Sequence, residues 1–291
     1  MEERPLRSMS GAYLRWEFIV RTWFITGASR GFGRELTEQL LARGDRVAAT
    51  LRKPDQLADL AAVHGDRLWV RALDVTDTAA MREVVDAAFA ELGRIDVVVS
   101  NAGYGVVGAA EELSDTQIDD LIATNLTGSI QLARAVVPHL RAQAGGHILQ
   151  VSSMGGQMAF PGFSLYHTTK WGIEGFFEAF APEVAPFGIR TTLVEPGMIR
   201  TSFYASVVRA PVSAAYADNP AVSRGEMPLA DMPGDQAKVV AAMIDVAELD
   251  DPPRRLLLGS DAYTLVRGAL AERLAAVEAQ RQLAHSTDVA S

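Results

Sequence analysis

Cysteine is absent from all 291 residues. That excludes a disulfide framework, a thiolate zinc site and a cysteine nucleophile, and it fits a reducing compartment. Long uncharged apolar runs are also missing. The stretch Tyr13–Ile25 is broken by Arg15, Glu17 and Arg21, and the uncharged run Ile148–Tyr166 carries Ser, Gln, Gly and Pro. Neither reads as a membrane helix. The start, Met1-Glu2-Glu3-Arg4-Pro5, has no apolar signal-peptide region, so a cytoplasmic location is expected. Positive charge is in deficit. The 27 basic residues against 36 acidic ones leave a net charge of −9, a poor balance for binding nucleic acid or an anionic membrane. Histidine is scarce: His64, His139, His147, His167 and His285 show no ligand-cluster spacing, which disfavours a metal hydrolase.

Apolar material, by contrast, is ample. Hydrophobic residues make up 48% of the chain and charged ones 22%, which suits a sizeable core and excludes wholesale disorder. Short apolar runs alternate with amphipathic segments, the pattern of an α/β fold with a doubly wound parallel sheet and helices on both faces. Strands are expected at Trp23–Thr26, Val47–Leu51, Leu68–Leu73, Ile95–Ser100, His147–Ser152, Ile189–Val194 and Arg255–Leu258. Helices are expected at Phe32–Arg43, Asp55–Val63, Asp77–Leu92, from the Ser114/Gln117 capping box to about Leu140, at Tyr166–Phe180, Gln236–Leu249, and from Asp261 to about Leu283. Pro182 should end or kink its helix near Ala181. Residues 1–21 read as an N-terminal extension, 22–285 as one domain and 286–291 as a tail. Within the domain, 198–235 is rich in Ala, Pro, Ser and Met and reads as a substrate loop or lid, or else as a plain surface excursion.

Thr26-Gly27-Ala28-Ser29-Arg30-Gly31-Phe32-Gly33 joins the first strand to the first helix. Glycines let a backbone approach a pyrophosphate, and a helix N-terminus offers free N–H groups and the positive end of a dipole. Taken alone, the turn could also be a tight connection with no ligand. Further along, Tyr166 and Lys170 are four residues apart on a predicted helix and share a face. Ser153 lies thirteen residues before Tyr166, at a strand end. Side chains alternate along a strand, so only one of Ser152 and Ser153 can face a given site.

In order, the glycine turn, Asp74-Val75, Asn101-Ala102-Gly103, Asn125, the serine, Tyr166-x-x-x-Lys170 and Pro196-Gly197 resemble the motifs of the short-chain dehydrogenase/reductase family. The resemblance covers roughly Trp23–Thr201 and implies a single-domain Rossmann-like fold. It implies an oxidoreductase moving a hydride between a nicotinamide cofactor and a carbonyl or alcohol. A carbonyl receiving hydride builds negative charge on its oxygen, which calls for a proton and hydrogen-bond donors. By the resemblance, Tyr166 is the general acid in reduction and the base in oxidation, and Ser153, by its spacing to Tyr166, orients the carbonyl. Lys170 lowers the tyrosine pKa and binds the nicotinamide ribose, and Asn125 holds a water in a proton relay to Lys170.

The same resemblance assigns a cofactor site, to which Tyr166 and Lys170 also belong. Thr26, Gly27, Ser29, Arg30, Gly31, Phe32 and Gly33 form the phosphate turn, Asp74 and Val75 meet the adenine, and Asn101, Ala102 and Gly103 line the cleft. Pro196, Gly197, Ile199 and Thr201 meet the nicotinamide end. The end of the second strand has Leu51 between Thr50 and Arg52, with no carboxylate to repel a 2′-phosphate. Arg30 and Arg52 together point to NADP(H) over NAD(H). Tyr104, Met154, Phe160, Met198 and Phe203 are expected to border a pocket for a bulky lipophilic ketone, aldehyde or alcohol; core packing is the other reading of these side chains. Assembly as a homodimer or homotetramer is implied. A non-catalytic NADP(H)-binding regulator of the same fold is the alternative. A sugar-nucleotide epimerase relative is disfavoured by the glycine spacing and the short C-terminal part.

Overall fold

A computed structural model describes residues 20–222 and 228–289. The expected extension at 1–21 therefore falls almost wholly outside the described residues, as do 223–227 of the long loop and the last two of the tail. The chain begins β1 (Thr22–Thr26), α1 (Gly31–Arg43), β2 (Arg46–Leu51), α2 (Ala58–His64), β3 (Leu68–Ala72), α3 (Thr78–Leu92) and β4 (Val97–Ser100). It continues through β5 (Val106–Val107), α4 (Asp115–Ile122), α5 (Gly128–Ala142), β6 (Gly146–Val151), α6 (Ser164–Val184) and β7 (Ile189–Pro196). It closes with β8 (Val208–Arg209), α7 (Gln236–Glu248), β9 (Arg255–Leu258), α8 (Ser260–Ala279) and α9 (Arg281–Ser286).

Seven strands form one parallel sheet in the order β3-β2-β1-β4-β6-β7-β9. Strand residues alternate between its two faces. On β1, Trp23 and Ile25 pack with Leu36 and Leu40 of α1 and with Val240 and Met243 of α7. Phe24 between them packs on the other face with Met81 and Val85 of α3, Val136 of α5 and Phe177 of α6. Both faces being covered, β1 is buried along its whole length, which explains the apolar character of its centre. The order turns from descending to ascending at β1 and β4, so the loops after these strands part and leave a crevice at their carboxyl ends.

Three helices depart from the sequence-based expectation. The expected long helix from Ser114 does carry its capping box: Ser114 Oγ accepts from Gln117 N–H at 3.2 Å and Gln117 Oε1 from Ser114 N–H at 3.0 Å. Between α4 and α5, however, it passes through a π turn at Ala123–Thr127, which holds Asn125 buried. In α6, Pro182 does not end the helix near Ala181; the helix runs to Val184. A proline ring removes one i→i−4 hydrogen bond, and here only the final turn lies beyond it. That turn is anchored by Phe180 and Val184, both buried in the core. The last predicted helix is also divided, α8 giving way to α9 at Gln280. No helix among the described residues is long and apolar enough to cross a membrane.

Candidate active site

A cleft of about 630 Å³ opens over the carboxyl ends of β1, β4, β6 and β7. Its floor at one end is the glycine turn. Thr26 does not face the cleft; its Oγ1 accepts from Asn101 N–H at 3.0 Å and Ala102 N–H at 3.1 Å, tying the turn to the loop after β4. Gly27 has φ +71°, and a β-carbon there would lie 2.9 Å from Ala102 Cα, so both the conformation and the space demand glycine. Gly33 is also outside the cleft wall. A β-carbon on it would meet Gly27 O and the Asn101 amide, so it lets α1 pack onto the turn. The remaining predicted turn residues, Gly27, Ser29, Arg30, Gly31 and Phe32, line the cleft.

Further along, Arg52, Asp74, Val75, Asn101, Ala102 and Gly103 line the same wall, and Pro196, Gly197, Ile199 and Thr201 line the far end. Asp74 is held in a turn of its own, accepting from Thr76 N–H at 3.0 Å and Thr76 Oγ1 at 2.7 Å. These bonds hold its carboxyl below the usual carboxylate range.

Ser153, Tyr166 and Lys170 converge at the junction of the two ends. The strand alternation separates the adjacent serines as expected. Both residues border the cleft, but the Ser152 hydroxyl is turned away from it and donates to Glu174 Oε1 at 2.6 Å, whereas Ser153 Oγ accepts from Gly155 N–H at 3.0 Å. Lys170 Nζ is buried 5.6 Å from the centre of the Tyr166 ring and donates to Val151 O at 3.1 Å. Burial pushes its pKa down to about 8, against a smaller upward pull from Glu174. Tyr166 differs from the expectation of a lowered pKa. Burial raises its phenol above the ordinary value, and the neighbouring Ser153 hydroxyl offsets only part of that rise. The phenol is thus loaded with its proton at neutral pH.

Asn125 is placed one layer behind. Its Oδ1 accepts from Tyr104 N–H at 3.1 Å, and its Nδ2 donates to Tyr104 O at 2.8 Å and Thr169 Oγ1 at 3.3 Å. The side chain thereby fastens the Asn101–Tyr104 loop to α6 and has no part in the cleft lining.

On the substrate side the expectation is corrected for three residues. Met154, Phe160 and Met198 pack with Leu257 of β9 and with Ala262 and Val266 of α8 in a small apolar cluster, away from the cleft. The first turns of α8 offered them an apolar face. Tyr104 and Phe203 do line the cleft, joined by Tyr204 and Val208. The Phe203 ring leans on Tyr166, centroids 5.9 Å apart. The stretch carrying Phe203 is fastened by a two-stranded parallel pair, β5 with β8.

Sequence reasoning missed a partly buried ionic group beside Ser152, whose hydroxyl donates to Glu174. Arg255 of β9 donates to Glu174 and Glu178 of α6 and, at 2.7 Å, to Glu195 of β7; Gln157 also donates to Glu195. Burial and the adjacent Glu174 push Glu195 up to about 7 despite Arg255. These partners lie up to 81 residues apart in sequence, so no local spacing could have signalled them.

The residues present fit a dinucleotide phosphate. The N-terminus of α1 has no side-chain cap, and Gly31 and Phe32 of its first turn line the cleft. Arg30 and Arg52 are exposed on the cleft wall with no ion-pair partner among the described residues. Among the described residues Lys170 has one protein acceptor for its three N–H donors.

The short chain dehydrogenase family model matches residues 21–211. Oxidoreductase BOA17 of Botryotinia fuckeliana is 41% identical over 89% of this chain and 95% of its own length. The crystal structure of a short-chain dehydrogenase from Streptomyces avermitilis superposes with a TM-score of 0.86 at 38% identity, covering 92% of this chain and 98% of that one. An alcohol dehydrogenase from Thermococcus sibiricus complexed with 5-hydroxy-NADP gives a TM-score of 0.68 at 25% identity over 82% of this chain and 96% of its own. With the parallel sheet, the glycine turn and the serine–tyrosine–lysine junction, these matches establish that the chain belongs to the short-chain dehydrogenase family and is an oxidoreductase.

Proposed function

We propose that the protein is an NADP(H)-dependent reductase or dehydrogenase of lipophilic carbonyl and alcohol substrates, with Tyr166 as its general acid and base. The observation that carries this reading is the convergence of Ser153, Tyr166 and Lys170 where the glycine-turn end of the cleft meets the Pro196-Gly197 end. NADP(H), when bound, supplies or accepts the hydride. Gly27, Ser29, Gly31 and Phe32 would cradle its pyrophosphate, Arg30 and Arg52 its 2′-phosphate, and Lys170 its nicotinamide ribose. The complex of the Thermococcus sibiricus relative with an NADP derivative supports the same choice.

The proton work falls to the chain's own side chains. Ser153 accepts from Gly155 N–H, so its O–H remains to be donated to a carbonyl oxygen. The Tyr166 phenol, kept protonated by burial, gives its proton to that oxygen as charge develops there. Lys170, kept charged below about pH 8, favours the tyrosinate left behind. The Asn125 side chain is occupied, so a water in this relay would be held by the Asn125 main-chain carbonyl, which already accepts from Ser129 Oγ at 3.1 Å and has a second lone pair. Tyr104, Phe203, Tyr204 and Val208 give the substrate end an aromatic and aliphatic wall, which suits a lipophilic carbonyl.

The test is oxidation of NADPH, and separately of NADH, with pyruvate, cyclohexanone, benzaldehyde, 2-decanone and a 3-ketosteroid. Turnover of the lipophilic members with NADPH preferred is the expected result. NADPH binding without turnover on any member would favour the non-catalytic regulator. Turnover of pyruvate alone would overturn the lipophilic assignment.

A further inference from the structure

His167 follows Tyr166 on α6, yet its side chain is buried, 5% exposed. It contacts the segment that joins β6 to α6 at two points. Nδ1 lies 2.9 Å from Gly155 O, and Nε2 lies 3.0 Å from Phe160 N. A main-chain N–H only donates and a carbonyl only accepts. The imidazole therefore carries its single proton on Nδ1 and offers its Nε2 lone pair to Phe160. Burial holds the ring below its ordinary pKa, which keeps it neutral. Phe160, Phe163 and Tyr166 surround it, with ring centroids 5.7, 6.0 and 5.9 Å away.

Gly155 is the link to the cleft. A β-carbon there would lie 2.5 Å from His167 Nδ1, so only glycine permits the approach. While its carbonyl is held by His167, its N–H donates to Ser153 Oγ at 3.0 Å. We infer that His167 is a positioning residue: by gripping Gly155 it keeps the Gly155 N–H on Ser153 and so leaves the Ser153 hydroxyl proton aimed at the substrate. The inference rests on the reading of Ser153 as the carbonyl-orienting donor. Nothing in it touches the cofactor, because the gripped segment, Ser153–Phe163, contributes only Ser153 to the cleft wall.

Two measurements test it. Long-range ¹H–¹⁵N correlation at pH 7 reports the tautomer directly. His167 is expected as the neutral Nδ1–H form, and an Nε2–H form or an imidazolium would overturn the grip without reference to activity. Kinetics with NADPH and the best-used carbonyl of the panel above then test the consequence. His167→Leu, which fills the same space without polar atoms, should lower kcat/KM for the carbonyl by about 10- to 100-fold, the scale of a displaced orienting group. The Kd for NADPH should stay within about twofold. His167→Asn restores an N–H near the Nδ1 position and should recover most of the loss. In the Ser153→Ala background, His167→Leu should cost nothing further, since it acts through Ser153. Additive losses, or wild-type kcat/KM in His167→Leu, would overturn the inference. Wild-type turnover by Ser153→Ala alone would instead overturn the role given to Ser153, and the tautomer would still decide whether the grip exists.

Discussion

Removing the two cleft arginines should separate the two nicotinamide cofactors. Arg30 sits at the N-terminus of α1 and Arg52 just past the end of β2. Both line the cleft, both are exposed, and neither has an ion-pair partner among the described residues. Arg34, by contrast, is already committed to Glu38 and Asp59. A charge-assisted hydrogen bond contributes about 1.5–3 kcal/mol, or about 10- to 150-fold in affinity at roughly 1.4 kcal/mol per decade. Solvent screening at these exposed positions favours the lower end. Arg30→Ala and Arg52→Ala should therefore each weaken NADPH by about tenfold, and the double variant by about a hundredfold. NADH, which has no 2′-phosphate, should change by less than about threefold. Arg52→Asp should go further and favour NADH, because a carboxylate there accepts from ribose hydroxyls and repels the phosphate. The assay is fluorescence titration of both cofactors at two salt concentrations, with the NADPH affinity of the wild type falling more steeply with salt than its NADH affinity. Equal losses for both cofactors would refute phosphate recognition and leave the arginines as supports of the turn. Unchanged NADPH affinity in the double variant would refute it as well.

Three further outcomes follow from the same geometry. Glu195 is fully buried with its pKa raised from 4.5 to about 7. The folded state therefore holds a proton that the unfolded state loses between those values, and stability should fall by up to about 3 kcal/mol as pH rises from below 4.5 through 7; urea denaturation of Glu195→Gln should show that component gone, and a profile parallel to the wild type would contradict the assignment. Reductive turnover should decline as pH rises through about 8, where Lys170 loses its charge, and Lys170→Arg should move that limb upward if any activity survives the larger side chain; an unshifted limb in an active Lys170→Arg would assign it to another group. Gly33→Ala places a β-carbon against Gly27 O and the Asn101 amide, so Tm should drop with a loss of about 1–3 kcal/mol and NADPH affinity should fall with it; a wild-type Tm and Kd would show that the turn is not packed as described.

Much of this was legible in the sequence because periodicity and turn chemistry are local. The buried β1 and β4 announce themselves as apolar runs, Gly44 and Gly93 mark the ends of α1 and α3, and the alternation of extended backbone just past β6 sends the Ser152 and Ser153 hydroxyls different ways. What stayed hidden depends on partners distant in sequence. Met154, Phe160 and Met198 look like pocket residues until α8 is placed beside them. Pro182 looks like a helix end until the burial of Val184 shows what holds the last turn. The upward shift of Tyr166 requires knowing how deeply its hydroxyl is enclosed, and the group around Arg255 joins three elements that only the sheet order brings together.

Tyr166 is the group proposed to move the proton. Tyr166→Phe removes the hydroxyl and keeps the ring against Phe203 and His167. With NADPH and the best-used carbonyl, kcat should fall by about 10²- to 10⁴-fold, the usual contribution of a general acid, while NADPH still binds within about threefold of the wild-type Kd, since the glycine turn, both arginines and Lys170 are untouched. Turnover by Tyr166→Phe within about twofold of the wild type would contradict the account, because a general acid cannot be removed at so small a cost.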